Sequence, residues 1–472
     1  MQTTPQPDTG PVSDTGPVTE PQNATRHQAR IHALTVDMNG ILRGKWLPTS
    51  KDGALRRGTV RLPLSTSTLD IWGEENDDIT GLSLSSGDPD GILIADETTR
   101  APVPWSAQGD QQVLCTIHDR DGSPSPYDPR ALLAAMDARL SAAGFTAIVA
   151  AELEFYLIAP DWRTTGIPVP PGTCTVGPQS QPLGQLYDME TLQAHAPVLD
   201  SIAAACALQG IDAETALAEL GPGQFEINLA HGPGALRAAD QAMMLRRLIR
   251  AVASQHDLAA TFMAKPYEVQ PGCGLHFHVS LCDAQGGNIF DSGQNDLVAP
   301  QLRAAAGGLV HTARDLQLAF TPLENSMRRL APNTHAPLAA TWAQEHRGAA
   351  IRLPAVHGKN ARLEHRISGA DANPYLALTA ILGGLLHGLE TQLEPGPALR
   401  ADGVQREIDP DDPTALTHDR LTACQRFARS AHARDIFGAP FAKVFADVKA
   451  HEARTCLRTV PALDYLSVLP RI

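Results

Sequence analysis

The seven cysteines of this 472-residue chain are scattered, at positions 115, 174, 206, 273, 282, 424 and 456. No two stand as C-x-x-C and their number is odd, so neither a disulfide framework nor a structural zinc site is expected. That usage fits a reducing cytoplasm. There is no Lys- or Arg-rich run, and 38 basic against 52 acidic residues leave a net charge of −14. A nucleic-acid partner is therefore not expected. The apolar stretch YLALTAILGGLL at 375–386 falls far short of the ~20 residues of a spanning helix, so no membrane partner is expected either. Two nucleotide-binding signatures are also missing: there is no G-x-x-x-x-G-K-[ST] phosphate loop and no strand–GxGxxG–helix unit. P-loop kinases and Rossmann dehydrogenases are thereby disfavoured, and any nucleotide would have to be held by metals and arginines.

What is present can build a substantial core, since 43% of the residues are hydrophobic and the length suits two or three domains. Residues 1–28 lack an apolar core and a basic leader, which predicts a disordered tail rather than a signal peptide; its repeated DTGPV builds no core. Segments such as RIHALTVDM and the Pro-bounded RLPLSTSTLDIWG predict a small strand-rich domain over 29–125. In SPYDPRALLAAMDARLSAAG, Asp128 can cap a helix with Pro129 in its first turn and Gly144 at its close. There an α+β catalytic domain is expected to begin, spanning 126–472. Further helices are expected at about 189–209, 235–256, 297–317, 374–390, 417–433 and 439–455.

Four segments place charge where a strand should be apolar. AELEFYL carries Glu152 and Glu154, AELGPGQFEINL carries Glu219 and Glu226, GCGLHFHVSL carries His276 and His278, and ARLEHRIS carries Arg362, Glu364 and Arg366. Residues two apart on a strand share a face, so one face of one sheet could collect five carboxylates and two imidazoles. Each pair alone is ordinary, because E-x-E is usually a solvated strand face and H-x-H usually a surface or structural feature. Four solvated faces in one domain, however, would leave little core to close. Buried carboxylates need cations, and oxygen-rich ligation with one or two histidines points to Mg²⁺ or Mn²⁺ rather than zinc. Such a site suits phosphoryl transfer, with arginines neutralising the developing charge. Arg328, Arg329, Arg347 and Arg352 are available, although any one of them is by default a surface salt-bridge residue.

The stretches VDMNGILRGKWLP, AELEFYL, ELGPGQFEINL, GCGLHFHVSL, NSMRRLAP, HRGAAIRLP and LEHRISGADANPY occur in this order. Together they resemble the glutamine synthetase family from about residue 29 to 472. The resemblance implies an N-terminal β-grasp domain and a larger domain whose antiparallel strands form a metal-holding funnel for two or three ions. It implies that Glu154, Glu219 and Glu226 hold metal on the amino-acid side, and Glu152, His276 and Glu364 on the nucleotide side. Gly272, Arg329 and Arg366 would bind glutamate, while His278, Arg347, Arg352 and Arg362 would serve ATP. Asp37 would complete a neighbouring subunit's amine site, within two stacked hexamers. The implied reaction is phosphorylation of the glutamate γ-carboxylate by ATP, then attack by an amine on the acyl phosphate.

Departures from the family pattern bear on the amine. His335, in NTHAP, stands where ammonia-using members have a glutamate, and Pro271 stands where an asparagine is expected before Gly272. No tyrosine lies between Tyr375 and Tyr465, so regulation by adenylylation is not expected. RGKWLP and LPLSTSTLDIWGEE look more like the γ-glutamyl-polyamine synthetase branch. The expected function is a glutamate–amine ligase acting on a polyamine or alkylamine. The alternatives are a true glutamine synthetase and a non-catalytic paralogue. For a polyamine's distal ammonium, Glu74, Glu75, Asp77 and Asp78 form a candidate acidic cluster, with a solvated loop as its plainer explanation.

Overall fold

The computed structural model describes residues 28–171, 185–295, 297–400, 408–409, 411–469 and 471–472. Apart from Gln28, the expected tail lies outside them.

The N-terminal sheet has six strands: β1 (Arg30–Val36), β2 (Leu42–Pro48), β3 (Arg61–Pro63), β4 (Asp90–Ala95), β5 (Ala101–Pro102) and β6 (Gln111–His118). Strand β1 pairs antiparallel with β2 and parallel with the central strand β6, and β4 and β3 extend the sheet beyond β6. Gly44 makes the first hairpin possible. Its φ is +143°, and a Cβ there would lie 1.9 Å from the Ala33 carbonyl oxygen, so any side chain would drive β2 off β1. RLPLSTSTLDIWG yields only the three residues of β3. After Pro63, Leu64–Thr68 wind into a 3₁₀ turn closed by the Thr68 hydroxyl on the Ser65 carbonyl at 3.1 Å. Alternate β1 residues separate two cores: Ile31 and Ala33 pack within this sheet, while Leu34 and Val36 join the main core of the molecule.

The larger sheet has nine strands: β7 (Thr146–Ile158), β8 (Ala213–Ala218), β9 (Gln224–Leu229), β10 (Gly232–Pro233), β11 (Ala259–Thr261), β12 (Leu275–Cys282), β13 (Trp342–Gln344), β14 (Ile351–Ala355) and β15 (Arg362–His365). Its order is β13-β14-β15-β12-β7-β9-β8, antiparallel except for β13 with β14. The thirteen residues of β7 form the spine, since β9, β10, β11 and β12 all pair with it. Leu153, Phe155, Leu275, Phe277, Ile227 and Leu363 supply the apolar face, all nearly inaccessible to solvent. The fold is α+β.

Helices cover that apolar face. Helix Pro129–Ala142 starts as expected, with the Asp128 carboxylate accepting from the Arg130 and Ala131 amides at 2.8 and 3.1 Å. Asn373 caps Pro374–Thr391 in the same way. Helices Ala235–Gln255 and Ala439–Arg458 fall close to expectation, whereas 297–317 shifts to Pro300–Phe320 because the proline occupies the first turn. Two expected helices are each broken in two. Residues 189–209 divide into Met189–Ala194 and Ala196–Gln209 just ahead of Pro197, which offers no backbone donor. Residues 417–433 divide into Arg420–Arg429 and Ala431–Phe437 at Ser430, whose extended backbone and hydroxyl cap the second piece. Among the described residues, no helix is long and apolar enough to cross a membrane.

Candidate active site

Strand register brings the charged residues of the four segments to one face. Glu152 on β7 is opposite His276 on β12, Glu154 is opposite Glu226 on β9, and Glu364 on β15 is opposite both His278 and Arg352. Glu219 follows the end of β8, and its amide bonds to the Gln224 carbonyl at 2.9 Å, which turns the chain back into β9.

Hydrogen bonds fix both histidine tautomers. The Arg362 Nε–H donates to His278 Nδ1 at 3.1 Å, so the imidazole proton sits on Nε2, which donates to Glu152 Oε1 at 2.8 Å. An Arg329 guanidinium N–H donates to His276 Nε2 at 3.1 Å, leaving the His276 proton on Nδ1, which faces Glu152 at 3.6 Å and Glu364 at 3.9 Å. Burial, then the nearby Arg366 cation, lower the His276 pKa, so the neutral ring is the resting form.

The carboxylates divide by environment. Glu364 is 1% exposed, and its burial disfavours charge, yet Arg366 and the two histidines outweigh that and hold its pKa at about 2. It takes hydrogen bonds from Arg366 and, at 2.8 Å, from Arg352. At Glu219 and Glu226 opposing contacts, among them Arg347 near the first and Asn228 at the second, are outweighed. Burial first, then neighbouring carboxylates, push Glu219 up to about 7 and Glu226 up to about 9. Among the described residues, Glu226 has no salt-bridge partner. A buried floor of carboxylates that repel one another is what a divalent cation relieves, and oxygen donors with one or two imidazoles fit Mg²⁺ or Mn²⁺. Two donor groups lie with their atoms within 4.8 Å of one another: Glu152, His278 and Glu364, and Glu152, Glu226 and His276. Glu152 is thus shared between the groups. Glu154 sits beside them and accepts from the Gly274 amide at 3.0 Å and from Gln224 at 3.3 Å.

Arginines ring this floor. Arg329 is 6% exposed and donates to the Ile367 carbonyl at 3.0 Å, and the Arg366 Nε–H donates to the Arg347 carbonyl at 2.9 Å. Arg352 bridges buried Glu364 and exposed Glu345. Arg328 and the Arg347 side chain are exposed. Gly272 lies tight against this group, since a Cβ there would come within 2.5 Å of the Ala264 carbonyl oxygen and 2.9 Å of Arg329 Cγ. His335 sits in an exposed bend, its pKa lowered by partial burial of the ring and then by Arg366 and Arg347.

Asp37 is placed elsewhere. Its carboxylate is 0% exposed and accepts from the Asn39 and Ile41 amides and the Arg43 Nε–H, all at 2.9 Å. It ties the β1–β2 turn together inside its own subunit. The acidic run after Trp72 leads into the short helix Asp77–Thr80, where Asp77 accepts from the Ser83 and Ser85 amides at 3.1 and 2.6 Å. Sequence reasoning missed Gln224, whose amide ties the Glu154 carboxylate to the Gly272 carbonyl at 3.0 Å, although it lies two residues before Glu226 on the same strand face. It also missed Tyr156, whose hydroxyl donates to the Pro271 carbonyl at 2.9 Å.

A floor of cation ligands under a rim of arginines is the equipment of a metal-dependent phosphoryl-transfer enzyme. Residues 126–466 match the glutamine synthetase catalytic domain. The chain is 34% identical over 425 residues to the γ-glutamylputrescine synthetase PuuA of Escherichia coli (strain K12), covering 89% of this chain and 88% of that protein. It is 30% identical over 435 residues to the glutamate–isopropylamine ligase of a Pseudomonas species, covering 89% and 90%. The solved structure of apo GmaS superposes with a TM-score of 0.80 at 26% identity, over 94% of this chain and 97% of that one. The chain belongs to the glutamine synthetase family, and with that membership goes the use of ATP and a divalent metal ion.

Proposed function

We propose that the protein is an ATP-dependent ligase that joins the γ-carboxylate of glutamate to the nitrogen of an organic amine, a polyamine or alkylamine. The observation that carries this reading is the common face formed by Glu152, Glu154, Glu219, Glu226, His276 and Glu364 beneath Arg329, Arg352, Arg362 and Arg366. The carboxylates and His276 would hold Mg²⁺ or Mn²⁺, which when bound offsets the charge of the triphosphate. Arg329, beside Gly272, is placed to pair with a glutamate carboxylate. Arg366 would act between that carboxylate and the phosphates, and His278, Arg347, Arg352 and Arg362 would serve the phosphates.

In the first step the γ-carboxylate oxygen bonds to the terminal phosphorus of ATP and ADP departs. In the second the amine nitrogen attacks the acyl carbon, the C–O bond to phosphate breaks and inorganic phosphate leaves. The incoming ammonium must first lose a proton. His335 can take it, since its ring is held neutral. An organic amine is favoured over ammonia because His335 lacks the permanent charge of a glutamate. The γ-glutamylputrescine synthetase above also matches at 34% identity, against 31% for the glutamine synthetases of Halobacterium salinarum and Thermococcus kodakarensis. The same reading places the enzyme in the cytoplasm, in keeping with its six described cysteines all being free, and in a dodecamer of two stacked hexamers. The test is phosphate release from ATP and glutamate with ammonium, putrescine, ethanolamine and methylamine as acceptors. An organic amine should give the highest kcat/KM, and ammonium ranking first would overturn the assignment.

A further inference from the structure

Outside this site, a second group of metal-binding side chains stands at the helical end of the molecule. His311 lies on helix Pro300–Phe320, His387 on helix Pro374–Thr391 and His432 on helix Ala431–Phe437. One nitrogen from each ring lies within 4.8 Å of the others, and the ring centroids are 4.6 to 6.1 Å apart. Three separate helices supply them, so no local sequence repeat accounts for the grouping.

The first two helices are brought together by glycine. A Cβ at Gly308 would lie 2.1 Å from the Gly384 carbonyl oxygen, and one at Gly388 would lie 2.1 Å from the Ala304 carbonyl oxygen. Backbones this close put His311, three residues beyond Gly308, within reach of His387, between Gly384 and Gly388. Among the described residues, none of the three imidazoles has a hydrogen-bond partner. The rings face one another, His311 is exposed and the other two are half-buried, so a solute can reach them. Glu390 and Asp435 lie near His387, and Arg139 pairs with both, leaving moderate negative charge beside the cluster.

We propose that His311, His387 and His432 form a second metal site, selective for a late first-row transition metal ion such as Zn²⁺ and separate from the oxygen-rich active site. Imidazole is the preferred ligand of such ions, whereas Mg²⁺ seeks oxygen. Three histidines with water in the fourth position make a tetrahedral set. Zn–N bonds of about 2.0–2.1 Å place neighbouring nitrogens ~3.3 Å apart, which modest rotation of partly exposed rings reaches. The bound ion would clip three helices that are far apart in sequence.

The test is equilibrium dialysis of the full-length protein with Zn²⁺ in a large excess of Mg²⁺, which occupies the carboxylate site, followed by Co²⁺ as a visible-absorption probe of tetrahedral nitrogen ligation. The wild type should bind one Zn²⁺ per subunit that Mg²⁺ does not displace. His311→Ala and His387→Gln should each weaken that binding by more than about 100-fold, because loss of even a supporting contact to a metal ligand costs 10- to 100-fold. Both variants should keep ligase activity in Mg²⁺, which shows that they are folded. Equal Zn²⁺ binding by wild type and both variants, or no Mg²⁺-resistant Zn²⁺ in the wild type, would show that the three rings merely pack together.

Discussion

Replacing Glu226 by glutamine separates a metal ligand from a packing residue. The substitution keeps volume and shape but removes an ionisable carboxyl from a floor that also holds Glu152, Glu154 and Glu219, where burial and repulsion push its pKa up to about 9. Glu226 is 8% exposed and faces Glu154 across the β7–β9 ladder. Two unit charges ~5 Å apart at an effective dielectric of about 20 repel by about 3 kcal/mol. Without metal Glu226 is therefore protonated near neutral pH, and the isosteric variant should melt at the temperature of the wild type. With metal the two proteins part, because the variant lacks the carboxylate that ionises to attract the dication. A net loss of about 3 kcal/mol corresponds to ~100-fold weaker binding. The assay is thermal unfolding in chelator and across a Mg²⁺ titration, where wild-type stability climbs with occupancy by RT ln(1 + [L]/Kd). The variant's rise should need ~100-fold more Mg²⁺. A variant that melts lower in chelator and answers Mg²⁺ like the wild type would show Glu226 to be a packing residue.

Gly272→Ala should raise the KM for glutamate at least tenfold while costing about 1–3 kcal/mol of stability, since the added methyl meets the Ala264 carbonyl and the Arg329 stem; unchanged glutamate KM would remove Gly272 from the glutamate site. His335→Glu should shift the ratio of kcat/KM for ammonium over the best organic amine upwards about tenfold. A restored charge helps the small cation most, while a hydrocarbon body already contributes about 0.8 kcal/mol per buried methylene, and an unmoved ratio would clear His335 of selectivity. Asp37, raised to about 6 because burial outweighs the Arg43 pair and the two amides, should show a linkage effect opposite to that of an aspartate whose pKa is depressed. Because its folded pKa lies above the ordinary 3.8, its favourable contribution is complete below about pH 4 and is lost as pH rises through about 6. Asp37→Asn should lack that decline of up to about 3 kcal/mol, as read by chemical denaturation of both proteins from pH 4 to 7; parallel pH profiles would contradict it.

The polar residues of the site were legible because a strand has a period of two. Glu152, Glu154, Glu226, His276, His278 and Glu364 each interrupt an apolar run, and the ladder then sets them side by side. Period alone does not say which strands are neighbours. That β15 lies next to β12 and puts Glu364 opposite His278 is decided by pairing across 86 residues of chain, whereas the Arg352 bridge to Glu364 spans only 12. The bonds that the Asn39 and Ile41 amides make to the Asp37 carboxylate had no signal in sequence, where a turn aspartate and a catalytic aspartate look alike. The helix breaks at His195 and Ser430 turned on one proline and one capping serine within otherwise helical patterns. The His311 cluster had no local signal at all, since its members come from three helices held together by glycines at distant positions.

The central claim is that glutamate is activated as an acyl phosphate before the amine attacks. Glutamate labelled with oxygen-18 in its γ-carboxylate, incubated with ATP, Mg²⁺ and the preferred amine, should transfer one labelled oxygen to each phosphate released, with one γ-glutamyl amide formed per phosphate. Unlabelled phosphate, released by direct hydrolysis of ATP, would contradict the account.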